Sequence, residues 1–255
     1  MNHDDALNMD SITAQQLTKR YDETLALDTL DLSIPDGSVY GFLGPNGAGK
    51  STTMRLLTGL TMPTSGEATV AGVPTTDRGQ LIDHIGLLPE EPPIHDELTA
   101  REQLTYAAGL RELSESQSRI QRLLERVALA EDADTRIDTY STGMRQKTAF
   151  LQAVLHEPDV LFLDEPTAGL DPRAARTIRA FIDELSDGGT TIFLSTHILP
   201  VVDEHADTVG VLSDGQLVAE GSPGDLKRRV DADTGDKTLE DVFLDVTETA
   251  PDEEI

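Results

Sequence analysis

The chain has 255 residues, enough for one domain with a full core or for two small ones. A content of 38% apolar and 26% charged residues is typical of a globular protein and excludes a disordered or fibrous one. Every apolar run is shorter than the roughly 18 residues of a membrane-spanning helix, and the acidic N-terminus has no apolar signal core. Together with the absence of cysteine, these features predict a cytoplasmic protein.

The net charge is −27, from 47 acidic and 20 basic residues. Such a surface repels the phosphates of DNA and RNA, which argues against a general nucleic-acid-binding protein. Because lysine is rare among the basic residues, the composition favours a protein adapted to concentrated salt, where screening removes the self-repulsion. An ordinary acidic protein is the alternative interpretation.

Short strand patterns dominate the first part of the chain. Ile12–Leu17, Leu30–Ile34 and Ala68–Val70 are strand-like runs between turn residues, and they predict a small antiparallel β-subdomain. Ser38–Leu43 is predicted as a strand that runs into a glycine-rich turn, and Lys50–Thr58 as the helix that follows it.

Helical spacing of apolar residues then sets in over Ala100–Ala130 and predicts an inserted α-helical subdomain at about residues 99–142. After it, strands and helices alternate, which indicates βαβ units and a mainly parallel sheet. The predicted strands are Val160–Leu163, Thr191–Ser195 and Thr208–Leu212, and the predicted helices are Arg173–Leu185 and Pro200–Asp207. The fold class expected from this order is α/β.

Residues Gly44–Ser51 fit the pattern G-x-x-x-x-G-K-[ST] of a phosphate-binding loop. Glycines at these positions let successive backbone N–H groups turn towards phosphate oxygens, and the helix that follows adds its positive end. Lys50 is expected to reach the β- and γ-phosphates of a nucleotide, and the Ser51 hydroxyl to bind Mg²⁺. The predicted core is therefore that of a P-loop NTPase.

Two carboxylates, Asp164 and Glu165, follow the apolar run Val160–Leu163. Ligands bind at the carboxyl ends of strands in open α/β sheets, so this position favours a function over an ordinary solvated pair. Asp164 is predicted to hold Mg²⁺, and Glu165 to polarise the water that attacks the γ-phosphate.

The segment Tyr140–Gln146, YSTGMRQ, lies before a predicted helix and ahead of this carboxylate strand. It is similar to the L-S-G-G-Q signature of the nucleotide-binding subunits of ATP-binding-cassette (ABC) transporters, a family that the chain resembles from about residue 12 to residue 226. The resemblance implies that Ser141 and Gly143 bind the γ-phosphate of ATP held by the opposite subunit of a head-to-tail dimer. A hydroxyl and a bare N–H at a helix start do form an anion site. Alone, the segment would be interpreted as a helix cap.

Three further positions match the same pattern. Gly169–Asp171 resembles the loop that crosses the dimer interface, and His197, at the end of a predicted strand, corresponds to a histidine that contacts the γ-phosphate. Tyr21 stands where the family stacks an aromatic ring on adenine, although an exposed loop tyrosine is the simpler interpretation.

The chain departs from the family at two places. Glu90 stands where the family has a glutamine that senses Mg²⁺, and a carboxylate there can also bind the ion. Thr142 and Met144 replace Gly and Gln of the signature, changes that resemble the drug- and antibiotic-exporting branch.

The resemblance implies one nucleotide-binding domain, residues 11–226, and an acidic C-terminal tail, residues 227–255. Within the tail, Leu239, Val242, Phe243 and Leu244 are predicted to dock as a short amphipathic turn. Lys50, Glu165 and His197 are the candidate catalytic residues, and Ser51, Asp164 and Glu90 the candidate Mg²⁺ ligands. The candidate ATP-binding residues are Tyr21, Gly44, Asn46, Gly47, Ala48, Gly49, Lys50, Ser51, Thr52, Ser141 and Gly143.

The function implied is an ATPase subunit that drives transport, in the direction of export, through a separate membrane-spanning permease. It would work as a homodimer or pseudo-dimer at the cytoplasmic face of the membrane, without nucleic acid. The alternatives are a soluble ABC ATPase of DNA maintenance or translation, and an inactive binding module. The module is disfavoured because Lys50, Asp164, Glu165 and His197 are all present.

Overall fold

The computed structural model describes residues 10–229 and 238–248. The acidic N-terminus and residues 230–237 and 249–255 of the predicted acidic tail lie outside the described residues. Within the described ranges, no helix combines the length and the apolar character needed to cross a membrane.

Ten strands and nine α-helices make up the described part of the chain. The strands are β1 (Asp10–Tyr21), β2 (Thr24–Pro35), β3 (Val39–Leu43), β4 (Ser65–Val70), β5 (Val73–Pro74), β6 (Ile85–Leu88), β7 (Val160–Asp164), β8 (Thr191–Ser195), β9 (Thr208–Ser213) and β10 (Gln216–Gly221). The helices are α1 (Lys50–Leu57), α2 (Arg78–His84), α3 (Ala100–Leu110), α4 (Ser116–Arg126), α5 (Thr142–Val154), α6 (Pro172–Asp187), α7 (Leu199–His205), α8 (Pro223–Arg229) and α9 (Leu239–Glu248). A 3₁₀ helix covers Ile137–Thr139.

The first sheet is antiparallel, in the order β2-β1-β4-β5. Strands β1 and β2 form a long hairpin in which Gln16 and Thr29 have positive φ angles of 49°. Both residues fall at or beside irregular pairing, and bulges of this kind interrupt the alternation that a sequence pattern relies on. The antiparallel subdomain predicted from the sequence is confirmed, but both strands are longer than predicted.

The second sheet has the order β10-β9-β3-β8-β7-β6. Its strands are parallel except for the edge strand β10, which pairs antiparallel with β9. Parallel pairing brings the carboxyl ends of β3, β7 and β8 to one edge of the sheet. The phosphate-loop motif, the Asp164–Glu165 pair and His197 follow these three strands directly.

Strand β7 lies between two hydrophobic cores. Val160 and Phe162 pack in the core that includes the antiparallel sheet, whereas Leu161 and Leu163 pack in the core formed with α3 to α6. All four side chains are fully buried, and burial of such a side chain stabilises a fold by about 1.5–3 kcal/mol. Packing on both faces fixes the strand that ends at Asp164.

The predicted helical subdomain corresponds to α3, α4 and the 3₁₀ helix, and it meets α5 at the signature segment. Helix α3 begins with a capping box in which Thr99 and Glu102 bond to each other's backbone N–H groups.

The C-terminal prediction needs correction. Residues 239–248 form a ten-residue helix, not a short turn, and Leu239 and Val242 are buried in a third core with Val202, Val209 and Val211. The core contact was expected, but its extent was not. Leu239, Val242, Phe243 and Val246 recur at the i, i+3, i+4, i+7 spacing of an amphipathic helix, so the sequence carried a helical signal longer than one turn.

Candidate active site

A cavity of about 580 Å³ opens at the carboxyl edge of the parallel sheet. This volume lies in the range of roughly 300–1,000 Å³ that small-molecule sites occupy. The predicted residues that line it are Gly44, Asn46, Gly47, Gly49, Lys50, Ser51, Thr52, Glu90, Asp164, Glu165 and His197. Residues predicted from four separate parts of the sequence therefore come together in one place.

The glycine-rich loop fits the cavity only because two of its glycines lack a side chain. A Cβ at Gly44 would lie 2.4 Å from the carbonyl oxygen of Leu212, and one at Gly49 would lie 2.5 Å from that of Ala26. Gly49 also has a φ of 109°, a conformation that other residues rarely adopt. The close approach allows the loop to fold tightly between β3 and α1.

Lys50 begins α1, and its ammonium group donates to the carbonyl oxygens of Gly44 at 2.6 Å and Pro45 at 3.0 Å. Burial lowers the pKa of this amine, while the charges of Glu165, Asp164 and Glu90 oppose the shift. The side chain thus lies folded across its own loop, in reach of the three carboxylates that face the cavity.

Asp164 is the last residue of β7 and is 8% exposed. Burial raises the pKa of its carboxyl group, and the charges of Glu90 and Glu165 add to the increase. Ser195, which pairs with Asp164 between β7 and β8, lowers this pKa, and so does the charge of Lys50. The buried Ser195 hydroxyl has the larger of these two effects on the pKa of Asp164.

Glu165 adopts a left-handed backbone conformation, with φ of 49°. Such a conformation costs a residue with a side chain about 1–2 kcal/mol. Its N–H donates to the carbonyl of Ser195 at 2.8 Å, which ties the turn to the end of β8. The strained turn directs the carboxylate to the residues that follow β8.

Three donors hold the Glu165 carboxylate. Oε1 accepts from the main-chain N–H of His197 at 2.9 Å and lies 2.7 Å from the Nδ1 of the same residue, and Oε2 accepts from the Thr196 hydroxyl at 2.9 Å. The Glu165 side chain is 12% exposed, whereas that of His197 is 68% exposed. These contacts fix the orientation of a nearly buried carboxylate in the cavity, and a carboxylate in a fixed position can act as a general base.

The oxygen donors fit Mg²⁺ as a cofactor. Ser51, Glu90 and Asp164 line the main cavity, and all three also line a second, adjoining cavity between α1 and the loop after β6. Over residues 10–229 and 238–248, no cluster of three or more His, Cys, Asp or Glu side chains forms a complete metal site. Mg²⁺ needs no such cluster because it keeps several waters and takes one or two carboxylates together with substrate phosphates.

Four predicted residues do not line the cavity. Tyr21 is 41% exposed at the end of β1, with the ammonium of Lys19 4.8 Å from its ring centre. Ala48 is buried, with its N–H bonded to the Pro45 carbonyl. Ser141 caps α5, where its hydroxyl accepts from the N–H of Met144 at 3.3 Å, and Gly143 is buried close to α6.

Several cavity residues were not predicted from the sequence. Thr196 is one of them, although its position directly after a predicted strand was an available signal. Leu199 and Phe243 also line the cavity, and Phe243 belongs to α9. Phe243 was predicted to dock against the fold, but no motif placed it beside the cavity.

Comparison with known proteins agrees with this geometry. The family model described as ABC transporter matches residues 27–168, more than half of the chain. The chain is 38% identical to the bacitracin transport ATP-binding protein BcrA of Enterococcus faecalis over 86% of this chain and 71% of that protein. It is 39% identical to the daunorubicin/doxorubicin resistance ATP-binding protein DrrA of Streptomyces peucetius over 85% of this chain and 67% of that protein.

Another relative, the probable multidrug ABC transporter ATP-binding protein YbhF of Escherichia coli, is 34% identical over 91% of this chain, which spans only 41% of its length. Among solved structures, an ATP-binding subunit of an ABC transporter is similar, with a TM-score of 0.84 and 29% identity over 92% of this chain and 98% of that one. These matches confirm the expected α/β P-loop fold and the ATPase activity. The chain belongs to the ABC transporter family, as one of its ATP-binding and ATP-hydrolysing subunits.

Proposed function

We propose that the chain hydrolyses ATP in the cavity at the sheet edge to power export through a separate membrane-spanning partner. The observation that carries this proposal is the Glu165 carboxylate, which is held by Thr196 and His197 and lines the same cavity as the phosphate-binding loop. ATP hydrolysis would take place at the cytoplasmic face of the membrane.

The chain's own groups supply the chemistry. The N–H groups of residues 46, 47 and 49–51 and the ammonium of Lys50 bind the triphosphate, and Ser51, Asp164 and Glu90 would hold Mg²⁺. When bound, the ion neutralises charge that develops on the phosphate oxygens. Glu165 takes a proton from the attacking water, and His197 keeps that carboxylate oriented.

The signature segment supports a composite site between two chains. Ser141 is exposed at the N-terminus of α5, and neither it nor Gly143 reaches the cavity of its own chain. A Cβ at Gly143 would lie 3.6 Å from Oδ2 of Asp171, in the segment proposed to cross the dimer interface. The Ser141 and Gly143 of one chain would therefore complete the phosphate site of the other.

Mixing two inactive variants tests this arrangement. Lys50→Ala removes a cation from one site, and Ser141→Arg blocks the signature of the other chain. In a dimer of one chain of each variant, the altered Lys50 position and the altered Ser141 position meet at one composite site. The other composite site is formed by the two unaltered halves and stays intact. We expect the mixture to regain part of the ATPase activity that each variant lacks. Full activity of the Ser141→Arg variant alone would contradict the composite site.

The names of the relatives support export as the direction. BcrA and DrrA are named for bacitracin transport and for daunorubicin/doxorubicin resistance. Both matches extend over about 85% of this chain. The test is to co-express the chain with candidate membrane-spanning partners, starting with any that neighbouring genes encode, and to purify the membranes. We expect ATPase activity and drug efflux from vesicles to require both proteins and intact Glu165. Efflux that is unchanged in a Glu165→Gln complex would contradict the proposal.

A further inference from the structure

Helix α9 contributes a wall to the nucleotide cavity. Phe243, on this helix, lines the same cavity as Lys50, Asp164 and His197. The domain expected from the sequence ended at residue 226, so α9 lies outside the part of the chain to which ATPase motifs were assigned.

The helix is firmly held where it reaches the cavity. Leu239 and Val242 are 2% and 1% exposed in the core that contains Val202 of α7. At its start, the Thr238 N–H donates to Oδ2 of Asp241 at 2.8 Å, and the Asp241 N–H donates to the Thr238 hydroxyl at 3.3 Å. Reciprocal capping of this kind stabilises the first turn of a helix.

Phe243 lies beside the segment that orients Glu165. Helix α7 begins at Leu199, two residues after His197, and α9 packs against α7. Leu199 and Phe243 both pack on the third core and both line the cavity. Between them and the carboxylate, the Ile198 N–H donates to the Thr196 hydroxyl at 3.1 Å, and that hydroxyl donates to Glu165.

We propose that Phe243 is a positioning residue for ATP hydrolysis. From α9 it supports the start of α7 and so keeps Thr196 and His197 in place against Glu165. This inference rests on the proposed role of Glu165 as the group that takes the proton. With this role for Phe243, helix α9 is part of the ATPase domain and is needed for hydrolysis.

The helix itself offers two matched controls. Val242 is adjacent and fully buried, but it does not line the cavity. Leu244, the next residue on the other side, is 47% exposed. A Val242→Ala variant therefore reports on loss of core packing, and a Leu244→Ala variant on loss of a surface side chain.

The experiment measures kcat and KM for MgATP, and the melting temperature, in the full-length chain. Because small displacements of catalytic groups are costly, Phe243→Ala should lower kcat by about 5- to 100-fold. Its KM should stay within about threefold of wild type, as expected when ground-state binding is retained. Phe243→Leu should restore at least half of the wild-type kcat by refilling the space. Val242→Ala should lower the melting temperature and leave kcat within about twofold, and Leu244→Ala should change neither.

Several results would overturn the inference: a Phe243→Ala kcat within twofold of wild type, a change in KM alone, no rescue by leucine, or an equal loss of kcat in Val242→Ala. If Phe243→Ala is unfolded at the assay temperature, Phe243→Val is judged by the same criteria. Glu165→Gln, measured in parallel, separates the two proposals. Normal turnover of that variant refutes the role of Glu165, whereas its inactivity leaves the Phe243 result to decide the role of Phe243 alone.

Discussion

His197 binds Glu165 through both its backbone and its side chain. Its N–H and its Nδ1 approach the same carboxylate oxygen, at 2.9 Å and 2.7 Å. Contact with a carboxylate favours the tautomer that carries its proton on Nδ1, so the neutral ring has an acceptor at Nε2. The ring is 68% exposed, so this acceptor edge is accessible to a ligand while the carboxylate stays fixed.

Glu165→Gln should abolish turnover and spare ATP binding. The amide keeps the size of the side chain but cannot take a proton, so we expect kcat to fall by about 10²- to 10⁴-fold. The variant should accumulate as an ATP-bound dimer on a sizing column. Glu67→Gln, an exposed position on β4, is the control and should behave as wild type. Near-normal turnover of Glu165→Gln would show that another group accepts the proton.

Glu90→Gln should weaken the dependence of ATP binding on Mg²⁺. Glu90 adds a third negative charge to the cavity, where it raises the pKa values of Lys50 and Asp164. Without this charge, the repulsion of a metal-free triphosphate falls by about 1 kcal/mol, which corresponds to a three- to tenfold gain in ATP affinity in EDTA. Calorimetry with and without Mg²⁺ measures the difference.

Glu91 provides the matched control for that measurement. It is exposed and lines only the adjoining cavity, so Glu91→Gln should leave metal-free binding unchanged. Equal effects of the two substitutions would mean that the overall charge of the loop matters and that the position of Glu90 does not.

His156 should make the fold sensitive to mild acid. Burial, with a contribution from Arg111, lowers its pKa to about 4, and its Nε2 contacts the Ile85 carbonyl at 2.9 Å. The unfolded chain binds a proton here near pH 6.5, but the folded chain does so only near pH 4. The contribution of neutral His156 is therefore complete above pH 6.5 and is lost progressively as the pH falls towards 4.

Melting temperatures of wild type and His156→Gln from pH 7.5 to 4.5 check this expectation. The variant should lose less stability than wild type over this interval, whatever its stability at pH 7.5. Parallel curves for His156→Gln and wild type would refute the prediction.

Stability and activity should both increase with salt. At a net charge of −27 the chain repels itself, and the Debye length falls from about 10 Å at 0.1 M salt to about 3 Å at 1 M. Closure of a dimer around anionic ATP adds further repulsion, so the ATPase rate should rise more steeply with KCl than the melting temperature does. The melting temperature and the ATPase rate are measured from about 0.1 to 3 M KCl, a range over which the repulsion between the acidic side chains changes from strong to weak. A flat melting temperature with activity highest at the lowest salt would favour an ordinary acidic protein.

The sequence predicted most of the elements whose side chains are buried on both faces, although strand β6 was missed because its apolar run Ile85–Leu88 has only four residues. Strands β3, β7 and β8 are continuous apolar runs, and the glycine pattern between β3 and α1 has a defined stereochemical use. Helix α2 was missed because only Leu81 is buried in its seven residues, which leaves no helical period to detect. The edge strand β10 was missed because its residues are half-buried or exposed and carry a weak alternation.

For the site, the sequence predicted residue types but not the contacts between them. Glu165 and His197 were identified from their positions at strand ends, whereas the bond from Thr196 depends on how the turns after β7 and β8 face each other. That arrangement follows from the positive φ of Glu165, which no local pattern reveals. Phe243 was missed for a related reason, because its place beside the cavity depends on tertiary packing of α9.

Strand β7 has consequences for how freely this chain can change during evolution. Val160 and Phe162 fill one core, Leu161 and Leu163 fill the other, and the next two residues are the carboxylates. A larger or charged side chain anywhere in the strand would enter a packed interior, where overpacking costs about 1–3 kcal/mol and an unpaired charge costs more. Strand β7 therefore accepts only apolar exchanges that conserve volume, and new properties of such a subunit arise more readily from residues elsewhere in the chain.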